Sequence, residues 1–289
     1  MYNHFNLMEL EMNIHLMKIY KESFHDVRSH KREWMRVAYG PLLVWVLGAL
    51  FLALAYVSGG HVFEMHKAYM EGTYSQVSEG SVFLSIAHIV YGITYFIAMT
   101  SLYINGYRYA VLRDGGDRLI TLNLNIRFVK MVLYSILIGI LAIIYAGVSA
   151  GIIYGAHTLF ENTGVNVILG ILLSFYGFYL LFRILLYPVL ISIDQSEPVK
   201  TSWNLMKGNI LRFIGLALLV ALTIFIIGLI GGLAVLILGG LFSMISPVLG
   251  VLALFLGVIF IVFMVLFGWA VNSKMMGLVY QELSNTSNQ

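Results

Sequence analysis

Apolar residues run along this chain in six long stretches, at about residues 37 to 58, 82 to 105, 129 to 156, 166 to 192, 212 to 239 and 248 to 272, uncharged except at their edges and at Arg183. Each exceeds the roughly 20 residues that a helix needs to cross a bilayer. A helix bonds its own backbone in lipid, whereas strands would need a closed barrel built from short alternating segments, and no such alternation runs through these stretches. From Phe213 to Ser273 there are 61 consecutive uncharged residues. As one helix that run would be about 90 Å long, about three times the hydrocarbon thickness, so it must double back. Gly239, Gly240, Ser243 and Ser246-Pro247 supply the turn, where the proline also lacks an amide donor. Short connections follow the third and fifth stretches, so spans 3 and 4, and spans 5 and 6, are tight hairpins. A longer loop near 59 to 81 joins spans 1 and 2.

Ahead of each hairpin the apolar positions become sparser and periodic. Met17, Tyr20, Phe24, Val27 and Trp34 recur at helical spacing before span 1, with Lys21, Arg28 and Lys31 on other faces. Val199, Trp203, Met206 and Ile210 do the same before span 5, with Ser196 as the expected N-cap and Pro198 in the first turn. Before span 3 the pattern fits two readings. Ile120, Leu122, Leu124, Ile126 and Phe128 alternate like a strand, while Leu119, Leu122, Ile126 and Val129 fit a helix, favoured because a lone strand has no pairing partner. The expected fold is an all-α polytopic membrane protein of six transmembrane helices in three hairpins, each preceded by a cytoplasmic interfacial amphipathic helix. It forms one domain over residues 1–289, with an amphipathic segment at 14–36 and repeat-like hairpins at about 37–105, 129–192 and 212–272. The repeats begin near residues 14, 117 and 196, and the even-numbered spans 2, 4 and 6 run on beyond the membrane, as in Tyr103 to Leu112 and Asn272 to Glu282.

Composition agrees. The chain is 60% hydrophobic and 11% charged, where a soluble domain carries about a quarter charged residues, which excludes a soluble globular protein. If each span reverses direction, 15 of the 17 Lys and Arg residues fall on one side, Lys67 alone on the other, and Arg183 within span 4. The positive-inside rule then sets both termini in the cytoplasm. No cleavable signal peptide is apparent, and the start is either Met1 or Met12. With no Cys there is no disulfide.

Chemistry is thin within the spans. No acid lies in any of them, which removes the usual signature of an ion-coupled transporter. Arg108, Arg183 and Lys274 occupy comparable places near the basic ends of spans 2, 4 and 6 and are candidate contacts for lipid phosphates or another anion; the plainer reading is snorkelling anchors. His88 in span 2 is a candidate intramembrane polar site, with a histidine satisfied by a neighbouring helix as the alternative. His61, Glu64 and His66 in the outer loop match no zinc motif, so no metal is expected. Arg113-Asp114-Gly115-Gly116-Asp117-Arg118 fits two readings, a cation- or phosphate-binding loop or, more simply, a Gly115-Gly116 turn with Asp117 as an N-cap. Gly147, Gly151 and Gly155 in span 3, and Gly228, Gly232 and Gly240 in span 5, form stripes expected to pack helix on helix. No nucleotide fingerprint, nucleophile elbow or other catalytic constellation is present, so no catalytic residue and no cofactor is expected. The basic clusters fit anionic lipid headgroups better than nucleic acid.

One stretch resembles a known family. Arg183-Ile184-Leu185-Leu186-Tyr187-Pro188, followed by Glu197-Pro198-Val199-Lys200-Thr201-Ser202-Trp203-Asn204-Leu205-Met206-Lys207-Gly208-Asn209, is similar to the junction between the fourth and fifth spans in the YciC-like group of uncharacterised bacterial membrane proteins. It is similar also to the membrane domain of some glycerophosphoryl diester phosphodiesterases. Pro188, Ser202, Trp203, Lys207 and Gly208 carry the likeness. The resemblance implies a multi-pass protein of a bacterial inner (plasma) membrane without an established biochemical activity, and the phosphodiesterase function is not carried over because it belongs to a separate catalytic domain. The expected role is non-enzymatic, in organising membrane lipid or the envelope. The alternative is a transporter or channel for a lipid or amphipathic small molecule, which a cavity holding ligand density beside Arg183 would support and a solid, Gly-packed interior would sink. A second copy of the chain or a membrane-protein partner stays open.

Overall fold

The computed structural model describes residues 15–58, 82–114, 121–160 and 162–287. Its described residues form helices throughout: α1 (Leu16–Ser29), α2 (Lys31–Ser58), α3 (Val82–Leu112), α4 (Ile126–Phe160), α5 (Thr163–Arg183), α6 (Tyr187–Ser192), α7 (Pro198–Leu205), α8 (Ile210–Ile245) and α9 (Pro247–Ser287). Six helices are long and apolar enough to cross a membrane, with α5 and α6 together making the fourth. The protein is therefore an all-α, multi-pass membrane protein.

Each hairpin is antiparallel and is held by contacts between its own two helices. Trp45 Nε1 donates to Tyr91 Oη at 3.3 Å between α2 and α3, and Asn166 Nδ2 meets His157 Nδ1 at 2.8 Å near the α4–α5 turn. Between α8 and α9, Gly231 lies against the Phe260 ring and Gly257 against Val235. The turn between these two helices is narrower than the expected 239 to 247: only Ser246 is non-helical, in extended backbone. Both glycines at 239 and 240 stay helical, because a helix in lipid keeps its backbone bonded until a residue such as Pro247 removes the donor.

The basic ends of the hairpins are drawn together and their far halves face outward. The main core contains Trp34, Tyr107, Leu186, Leu190, Met206, Leu216, Val271, Met275 and Val279, all near the end where α3, α5 and α9 finish. Helix α1 lies across the third hairpin there, with Tyr20 Oη 3.0 Å from Thr223 Oγ1 and the Phe24 ring 6.0 Å from that of Phe267. Its buried face is Ile19, Ser23, Asp26 and Val27; Met17, expected on that face, is exposed. The segment expected as one amphipathic stretch over 14–36 breaks at His30, and residues 31–36 already belong to the first span.

Several local expectations are corrected. The described residues before span 3, 121–125, are not helical. Their polar backbone is bonded by α3 side chains instead: Asn105 Nδ2 donates to Thr121 O at 2.8 Å, and Ser101 Oγ accepts from Asn123 N at 2.9 Å. No helical ladder is then needed to satisfy these groups. Helix α7 is capped not at Ser196 but at Glu197, held at φ 51° ahead of Pro198. The stripe of Gly147, Gly151 and Gly155 meets open space, because among the described residues no helix covers that side of α4, whose only buried residues are Met131 and Ala156. In α8 the packing glycines are Gly228, Gly231 and Gly239, while Gly232 and Gly240 face outward.

Candidate functional site

The three candidate cations do not form an open ring; each has a different surrounding. Lys274 is 6% exposed and reaches the carboxyl-terminal end of α3, donating to Ala110 O at 3.3 Å, a placement that also suits the negative end of that helix. Its Nζ is 4.0 Å from Asp26 Oδ1. Asp26 in turn accepts from Arg113 and, at 3.2 Å, from Trp34 Nε1. Burial alone would push the Asp26 carboxyl up, but the hydrogen bonds and charges of Arg113, Lys274 and Trp34 outweigh it and hold it below the usual carboxylate range. The same pair raises Arg113, chiefly through its bond to Asp26. Tyr109 Oη donates to Glu33, and the Trp34 ring stands edge-on to those of Tyr109 and Trp269. This cluster fastens α1, α2, α3 and α9 into one block.

Arg108 is likewise engaged. It donates to Asp114 and, at 3.3 Å, to Ser192 O, and it pairs with Asp194 at 3.4 Å. Asp194, at φ 61°, also receives Arg127 from the start of α4 at 2.6 Å. The Arg127 hydrogen bonds foremost, against the opposing effect of burial and with help from Arg108 and Lys130, hold the Asp194 carboxyl below its usual range.

Arg183 is the exception. It ends α5, is 6% exposed, and its guanidinium lies 4.3 Å from the ring centre of Trp203 on α7. Nη1 donates to Tyr179 Oη at 2.8 Å, Nε has no acceptor, and no carboxylate pairs with it among the described residues. The family-like motif builds this joint. Ser202 is fully buried; its Oγ donates to Arg183 O at 3.1 Å and accepts from Leu186 N at 3.0 Å, joining the end of α5 to the start of α6. Pro188 sits in the first turn of α6, and Gly208, at φ 81°, turns the chain from α7 into α8. Lys207 is exposed. A shallow cavity of about 390 Å³ adjoins the joint, lined by Tyr134, Glu197, Val199, Lys200 and Trp203.

A larger cavity lies elsewhere. Between α2, α3 and α9, within the half of the spans nearer the basic face, a partly enclosed groove of about 510 Å³ is walled by Leu42, Tyr95, Met99, Val265, Trp269 and Asn272 among others. Trp269 is 8% exposed, and its indole N–H has no acceptor. His88 is outside this groove and bonded on both sides, to Tyr56 Oη at 3.1 Å and Leu84 O at 2.8 Å. No three His, Asp or Glu side chains converge as metal ligands among the described residues. His61, Glu64 and His66, and the Gly115 to Arg118 portion of the loop, lie outside those residues.

Sequence reasoning overlooked Asp26, Asp194 and the groove. The one available signal for Asp26 was its place among Ile19, Ser23 and Val27 on the apolar face of α1. Comparison of the chain with family models, curated proteins and solved structures gives no match.

Proposed function

We propose that this protein works without catalysis, holding and organising lipid in the leaflet at its basic face. The observation that carries the reading is the groove between α2, α3 and α9, with apolar walls within the span region and a few polar side chains among them. Apolar walls with a few polar groups are what an amphipathic ligand requires, and Tyr95, Tyr103 and Asn272 supply the polar groups at this groove. A solute passing along the bundle axis would have to cross the core at the basic end, where Leu186, Met206, Leu216 and Val279 are fully buried. That packing favours a lipid holder over a channel. The same proposal takes the basic face as cytoplasmic, the host as a bacterial inner membrane, and the junction motif as kinship with YciC-like proteins.

The test is lipid identification by native mass spectrometry on gently purified protein. A lipid retained out of proportion to the membrane, and lost when Met99→Trp fills the groove, is the expected result. Retention of bulk phospholipid alone, unchanged by Met99→Trp, refutes the reading.

A further inference from the structure

Helix α5 exposes apolar side chains along 21 residues, and its single buried residue is its only charge, Arg183. A buried cation needs an opposite charge or a full set of acceptors. Three other cations of the basic face obtain one within the protein: Lys274 faces Asp26, and Arg108 and Arg127 share Asp194. Arg183 has two aromatic rings, one hydroxyl and an Nε that bonds nothing. Ring faces attract a guanidinium but neutralise no charge. They do fix its plane, and a fixed, planar fork of N–H donors is the group that matches a tetrahedral oxyanion by two parallel bonds. A second guanidinium with a buried nitrogen that lacks an acceptor stands at the start of α8. Arg212 Nη1 is buried without an acceptor, and the neighbouring Phe213 packs its ring 6.3 Å from that of Phe182, the residue before Arg183. Lys200 stands at the adjoining cavity beside Trp203, its charge shared with Glu197 at 2.9 Å. The corner of α5, α7 and α8 thus has an excess of donors and positive charge, at the level where a span meets the membrane surface.

We propose that Arg183, held flat by Trp203 and Tyr179, is the receptor for a phosphate oxyanion, supplied by a phospholipid headgroup at the basic face. The site is separate from the groove and stands or falls independently of it. Inorganic phosphate offers the same chemistry, so the experiment needs arms for both sources.

Purified full-length protein in maltoside detergent is titrated with dioctanoylphosphatidylglycerol, with dioctanoylglycerol as the phosphate-free counterpart, and separately with inorganic phosphate. The shift in thermal unfolding is followed. The phospholipid is expected to raise the melting temperature of the wild type and dioctanoylglycerol to leave it unchanged. Arg183→Met is expected to abolish the response. Arg183→Lys, which keeps the charge but loses the fork, is expected to weaken apparent affinity about tenfold, and exposed Lys207→Ala to leave it intact. An Arg183-dependent response to inorganic phosphate alone also supports a phosphate receptor, with a soluble anion as its occupant. Equal responses in the wild type and Arg183→Lys, or an equal shift from dioctanoylglycerol, overturn the proposal, and the lysine variant decides it even where Arg183→Met does not fold.

Discussion

Replacing Asp26 by Asn removes one negative charge from the centre of the block that fastens α1 to the bundle. The side chains of Asp26 and Lys274 are 8% and 7% exposed, so neither charge can recover solvent where it stands. Arg113, by contrast, is 46% exposed and can turn to water, so its lost pairing contributes little. Leaving a buried ion without its partner costs about 3–5 kcal/mol. Because Asn keeps an acceptor for Trp34 Nε1, the lower end applies, about 3 kcal/mol, or roughly a hundredfold in the equilibrium between docked and undocked α1. The chain has no Cys, so Ser23→Cys, on the fully buried face of α1, gives a single thiol that a maleimide reaches only when α1 lifts away. Labelling should accelerate about a hundredfold in Asp26→Asn. Adding Lys274→Met, which removes the stranded charge, should restore most of the protection. If Asp26→Asn labels within about threefold of its parent, or Lys274→Met gives no rescue, the buried pair does not hold α1 and the reasoning fails.

Three further expectations can be measured. Ser202→Ala strands Leu186 N–H and Arg183 C=O in a buried joint, and should lower stability in a mixed-micelle unfolding titration by about 2 kcal/mol. Asp26 and Asp194 both have folded-state pKa values below their ordinary range, so their stabilisation is fully present above the unfolded value of about 4 and is lost as pH falls through the lower folded values. Thermal unfolding should therefore be level from about pH 7 to 5 and fall only below about 4, less steeply in Asp26→Asn. Gly231→Leu drives a side chain into the Phe260 ring and should cost about 1–3 kcal/mol, whereas Gly147→Leu points into open space and should change stability by less than about 0.5 kcal/mol.

The parts of this fold that depend on the solvent were readable in advance. Lipid imposes length and apolarity on every span, so the six spans, the extension of α3 to Leu112, the continuation of α9 past the membrane to at least Glu282, and the α7 segment follow from the residue pattern. The parts that depend on which helix covers which were not. Gly147, Gly151 and Gly155 have the spacing of a packing stripe, but spacing alone does not say whether a neighbour is present. The block around Asp26 rests on Arg113, 87 residues away, and on Lys274, contacts that no local pattern encodes. At the α5–α6 joint, Ser202 was singled out by resemblance, but its physical task appeared only when its hydroxyl was found between Arg183 O and Leu186 N. At 121–125 the helical reading rests on the premise that non-helical backbone needs a strand partner, whereas Ser101 and Asn105 satisfy this segment from a helix.

The single-residue link at Ser246 has a bearing on what this protein can be addressed by. Helix α4 ends at Phe160 and α5 begins at Thr163, while α8 passes into α9 through one residue. Over these two hairpins the far side has almost no polypeptide outside the helices for a protease to cut, an antibody to grip or a tag to occupy. Signals reaching these two hairpins therefore have three routes: the bilayer itself, the side that carries the termini, or the 59–81 connection of the first hairpin.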